Sequence, residues 1–139
     1  MTDRTEKKFG LKSKINSVHE FHNVFRIGNA TEIIPNLEEN EYMLRYNLLR
    51  EEADEYLDAC RKGDIAEIAD ALGDQLYIIF GTILKHGLQN KIDEVFDEIH
   101  RSNMSKLDEN GNPVFRADGK ILKSNNYFKP DIKTILEKK

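Results

Sequence analysis

Apolar residues recur at helical spacing through four stretches of the 139-residue chain. In "INSVHEFHNVFRI", Ile15, Val18, Phe21, His22 and Phe25 share one stripe and predict a first helix. Gly28 and Pro35 mark "GNATEIIPN" as a connector. A second helix is expected over about 37–62, where Gly63 can end it and Asp64 can cap the next. The third begins near Ile65 and stops near Gly87; the fourth carries Ile92, Val95, Phe96 and Ile99 on one face. Residues 1–13 read as a loose polar lead-in. Beyond Lys106 the turn pairs Asn110-Gly111 and Asp118-Gly119 flank Val114 and Phe115, which predicts a small hairpin or irregular arm. Pro130-Asp131 can open a last short helix through Leu136. Short links make successive helices antiparallel neighbours. The expectation is one all-α domain over 1–139, with a helical core at about 15–106 and an arm at 107–139.

Two helices break the oil-and-water pattern. With Leu44 at zero angle, Leu44, Leu48, Leu49, Ala53, Tyr56, Ala59 and Cys60 fill about half the circumference of the second helix. Glu52 lies inside that arc and Glu55 near its edge, with Glu51 just beyond. In the third helix the main apolar arc holds Ile65, Ile68, Ala69, Leu72, Leu76, Ile79 and Ile83. Glu67, Asp70 and Asp74 form a line on another face, bordered by Ala71, Tyr77, Ile78 and Leu84 and continued by Gly81. Antiparallel packing could set Glu52 and Glu55 opposite Asp70 and Asp74. Carboxylates crowded away from water must take up protons or a cation. An oxygen-only donor set suits Mg²⁺ or Mn²⁺. The competing reading is a charged seam paired with Arg45, Arg50 or Lys85.

Charge and composition narrow the field. Acids exceed bases by four, so wholesale binding of a nucleic acid polymer is not expected. One cysteine, Cys60, excludes an internal disulfide and fits a reducing compartment. The start, "MTDRTEKKFG", lacks a secretory apolar run, and no segment has the length of a membrane span, so a cytoplasmic, membrane-free protein is expected. The histidines are spaced for local hydrogen bonding rather than zinc. From Arg101 onward bases outnumber acids, and Asn103 and Lys106 stand three apart at the end of the fourth helix, where both could reach one phosphate.

"EEADE" at 51–55, "EIADALGDQLYIIFG" at 67–81, "EVFDEIHRSNMSK" at 94–106 and "RADGKILKSNNYFKPDI" at 116–132 together resemble the all-α nucleoside triphosphate pyrophosphohydrolases. This superfamily holds MazG-like proteins, dimeric dUTPases and phosphoribosyl-ATP pyrophosphohydrolases; the tail and "HEFHNVF" at 19–25 look most like the phosphoribosyl-ATP pyrophosphohydrolase-like branch. The resemblance implies a four-helix core assembled across subunits, in a homodimer or dimer of dimers. It implies Mg²⁺-dependent (or Mn²⁺-dependent) hydrolysis of a nucleoside triphosphate, dUTP or another dNTP, between the α and β phosphates. Glu52 and Glu55 take the family's first acidic pair, Glu51 a neighbouring acid, and Asp74 the aspartate of the second pair. Ala71 stands where the second pair's glutamate is expected, leaving Asp70 or Glu67 to compensate. Asn103 and Lys106 would touch phosphates, and Lys120, Lys123 and Tyr127 would close over the nucleotide. The alternatives are a non-catalytic nucleotide- or metal-binding module, and activity on phosphoribosyl-ATP itself.

Overall fold

A computed structural model describes residues 10–139. Their regular structure is helical: α1 (Leu11–Val24), α2 (Glu39–Lys62), α3 (Ile65–Lys85), α4 (Ile92–Met104) and α5 (Ile132–Glu137). No named strand occurs among the described residues, and no helix there is long and apolar enough to cross a membrane. Of the lead-in expected over 1–13, residues 1–9 lie outside the described residues and 11–13 belong to α1. The chain divides into two compact units, before and after Gln89–Asn90.

In the first unit α2 and α3 form a helical hairpin with a two-residue link. Gly63 closes α2 in the left-handed conformation (φ 66°), and Asp64 caps α3 by accepting from the backbone N–H of Ala66 (3.0 Å) and Glu67 (3.2 Å). Helix α1 packs on α3, with Ile15, Val18 and His22 buried. The loop after α1 is tied to the end of α3. Ala30 N–H donates to the Leu84 carbonyl and Ile34 N–H to that of His86, both at 2.9 Å. Lys85 Nζ donates to the Ile27 carbonyl at 3.0 Å.

The two long helices invert the expected core. The main apolar arc of α3 is largely exposed: Ile65 is 77%, Leu76 53%, Leu72 46% and Ile79 40% exposed. Leu44, Tyr56 and Cys60 of α2 are exposed as well. The buried positions of α3 are Ala71, Gly81, Ile83 and Leu84, three of which border or continue the acidic line. The chain therefore packs its own core on the acidic side of α3, because α1 is laid there. The richer apolar arc is left on the other face.

In the second unit the tail is fastened to α4. Buried Ser102 donates from Oγ to the Phe128 carbonyl (2.8 Å), and Phe128 N–H donates to Ser105 Oγ (3.1 Å). The Arg101 guanidinium lies 4.4 Å above the Phe128 ring, Glu98 accepts from Asp131 N–H (2.7 Å), and Ile135 is buried. The arm contains the expected small hairpin. Phe115 and Ile121 form an antiparallel bridge, flanked by Leu122 N–H to the Val114 carbonyl and Arg116 N–H to the Lys120 carbonyl, each 2.7 Å.

Candidate metal centre

Glu52, Glu55 and Asp74 each place one carboxylate oxygen within 4.8 Å of the others. The cause is the hairpin: antiparallel α2 and α3 bring residues 52 and 55 to the level of 74. Glu52 and Asp74 are half-buried, whereas Glu55 is exposed. Glu52 Oε2 is buried without a hydrogen-bond partner. Burial, a hydrogen bond shared with Glu55 and the charges of Asp74, Glu55 and Asp70 push the Glu52 carboxyl up to about 7. Burial, with Asp70 and Glu55, also raises Asp74. The group holds protons or a cation at neutral pH.

The other acids are placed differently. Asp70 is exposed; its charge reaches Glu52 and Asp74, but it is not in the close group. Glu67 is exposed and pairs with Lys62 at 3.6 Å across the hairpin link. Glu51 is exposed and is not in the close group. Ala71 is 2% exposed, so the position where a fourth ligand is expected belongs to the core instead. Arg45 and Lys85, weighed above as counter-charges, bond elsewhere. Arg45 donates to Thr82 Oγ1 and the Ile78 carbonyl, and Lys85 lies 3.6 Å from Glu41. His22 shares its Nδ1 with the Gly28 carbonyl (3.1 Å) and Asn29 Oδ1 (3.0 Å), and His86 Nδ1 meets the Ile34 carbonyl at 2.7 Å.

The residues expected to bind substrate, Asn103, Lys106, Lys120, Lys123 and Tyr127, all belong to the second unit. Lys106 N–H donates to the Asn103 carbonyl at 3.1 Å, so these two share the closing turn of α4. Lys123 Nζ sits 4.7 Å over the Tyr127 ring, and Lys120 lies in the exposed hairpin.

The sequence profile of phosphoribosyl-ATP pyrophosphohydrolases matches residues 18–103, from α1 to the end of α4. The chain belongs to that family. The family gives the all-α fold its context, within the MazG-like pyrophosphohydrolase superfamily. An uncharacterised protein of Acanthamoeba polyphaga mimivirus is 30% identical over 98 residues, 68% of this chain. The match takes in 35% of that viral protein, so this chain spans about a third of its length. The family's profile stops short of the arm, which leaves Lys120, Lys123 and Tyr127 to be judged on geometry alone.

The sequence offered Arg45 only as a counter-charge and His22 only as part of the first helix's stripe. Both converge on Gly81, where an added Cβ would lie 2.5 Å from Arg45 Nη2 and 2.9 Å from His22 Nε2. The available signal was a glycine seven residues after Asp74, on the acidic line and within the bulky second half of the helix, "QLYIIFGTILK".

Proposed function

We propose that the protein hydrolyses a nucleoside triphosphate between its α and β phosphates, releasing a nucleoside monophosphate and pyrophosphate with Mg²⁺ or Mn²⁺. The observation that carries this reading is Glu52 Oε2, buried without a partner among three converging carboxylates. That donor set fits a hard divalent cation, and Glu52, Glu55 and Asp74 would hold it, with Asp70 close enough to add charge. When bound, the cation supplies Lewis-acid stabilisation of phosphate charge. The exposed Glu51 carboxylate orients the attacking water and accepts its proton. Asn103, Lys106, Lys120 and Lys123 are the groups proposed to bind the substrate's phosphate oxygens. The family's own description favours phosphoribosyl-ATP as a second candidate substrate for the same cleavage.

The exposed arc of α2 and α3 supports a homodimer. Tyr42, Tyr46 and Tyr56 of α2 share an arc of about 80°, and Leu72, Leu76 and Ile79 of α3 one of about 60°. Both arcs point away from the Glu55 and Asp74 side. A contiguous apolar face of this size needs a partner, and a second hairpin would complete a four-helix core. Replacing Glu55 by Gln or Asp74 by Asn tests the function. Each variant should lose turnover by orders of magnitude at saturating Mg²⁺, whereas D58N, on the solvent side of α2, should not. Full activity in E55Q would remove the carboxylates from the mechanism.

A further inference from the structure

A hydrogen-bonded bridge crosses the α2–α3 seam near the carboxylates. Half-buried Arg45 donates from Nε to Thr82 Oγ1 (3.0 Å) and from Nη2 to the Ile78 carbonyl (2.8 Å). Thr82 Oγ1 donates to the same carbonyl (2.9 Å). Burial lowers the guanidinium's proton affinity, with no carboxylate offsetting it, so this cation is held on neutral acceptors. Gly81 is what admits it: any side chain there would meet Nη2 at 2.5 Å.

The bridge is placed to set register. Arg45 precedes Glu52 by seven residues, about 10 Å along α2 and within about 20° of the same direction. Ile78 follows Asp74 by one turn, about 6 Å. The two-residue link sets the coarse register, but a residual shift of one helix on the other, well short of a full turn's ~5.4 Å, would already disperse oxygens gathered within 4.8 Å. The fully buried apolar residues nearest the cluster are small, Ala59 and Ala71. Their packing is non-directional and tolerates slippage. A forked guanidinium bonded to one hydroxyl and one carbonyl does not.

We propose that Arg45 is a positioning residue for the carboxylate site: it locks the α2–α3 register that brings Glu52 and Glu55 to Asp74, while its own hydrogen bonds go elsewhere. The proposal rests on the metal reading above. Its test uses Mn²⁺ as the probe, on wild type, R45M, T82V and T82S, with far-UV circular dichroism to show that each variant is folded. R45M should bind Mn²⁺ at least ten-fold more weakly and T82V several-fold more weakly, and T82S, which keeps the hydroxyl, should match wild type. A role for Arg45 as mere nearby charge gives the opposite sign, because removing a cation would tighten Mn²⁺ binding. Tighter or unchanged binding in folded R45M overturns the proposal. If R45M does not fold, T82V carries the test, since valine fills the threonine's space and removes only the hydroxyl. Register is also read without metal, from methyl–methyl NOEs between α2 and α3. Shifted NOEs in R45M or T82V support the lock, and wild-type NOEs in both overturn it. A wild-type chain that does not bind Mn²⁺ sinks the metal reading alone.

Discussion

Replacing Glu52 by Gln should change how the metal-free protein responds to pH. In the folded chain the Glu52 carboxyl is pushed from 4.5 up to about 7, first by burial and then by Glu55, Asp74 and Asp70. A raised acid pKa means that the folded state holds the proton more tightly than the unfolded chain. The resulting stability is fully present below about pH 4.5 and is lost as pH rises through about 7. At about 1.4 kcal/mol per pKa unit the loss has a ceiling of roughly 3.5 kcal/mol, which solvent screening at this half-buried site lowers. Glutamine keeps the neutral shape and can still donate to Glu55, so E52Q should escape that loss. With EDTA present, urea unfolding at pH 5 should rank wild type and E52Q close together. At pH 8 E52Q should be more stable, by up to about 3 kcal/mol. The comparison between the two chains matters more than either curve alone. His22 contributes a slope of the opposite sign below pH 6.5, and that slope cancels in the difference. Equal stabilities at pH 8, or a wild type that gains on E52Q as pH rises, would refute the crowded-carboxylate argument.

Three further outcomes follow from other parts of the molecule. Burial, then Arg45 and Lys85, lowers His22 against the opposing bonds of Asn29 and Gly28. Stability held above pH 6.5 should therefore fall as pH drops below it, and H22Q should flatten that acid limb of the urea titration. G81A forces a methyl against Arg45 and His22 and should cost about 1–3 kcal/mol in chemical denaturation, where an exposed glycine such as Gly73 would tolerate alanine. S102A leaves the Phe128 carbonyl without its 2.8 Å donor; it should cost about 1–2 kcal/mol and speed hydrogen exchange over 126–137 while leaving α2 and α3 protected.

The acidic anomaly was legible in the sequence because it depends only on residue type and angle around a helix. An antiparallel hairpin is enough to set Glu52, Glu55 and Asp74 at about one level, and they lie together in the structure. Asp70 and Glu67 share Asp74's face on the wheel, and only the hairpin link decides that Glu67 turns to Lys62. The apolar pattern of α3 was legible too, but not which side the chain would use for itself. A wheel shows that Leu72, Leu76 and Ile79 are apolar; it cannot show that α1 packs against the other face. Arg45 looked like a counter-charge because sequence reveals carboxylates and hides backbone carbonyls such as that of Ile78. The His22 bonds to the Gly28–Asn29 loop were invisible for a similar reason, since they depend on a turn in which Arg26 takes φ 61°.

The central claim is cleavage between the α and β phosphates, and the identity of the two products tests it most directly. The protein is incubated in ¹⁸O-water with Mg²⁺ and a panel of nucleoside triphosphates and phosphoribosyl-ATP, and the products are resolved by ³¹P NMR. The account predicts pyrophosphate and a monophosphate from at least one substrate, with the heavy oxygen in one of those two products. Nucleoside diphosphate with labelled inorganic phosphate, or no turnover of any substrate by the folded, metal-loaded protein, would contradict it.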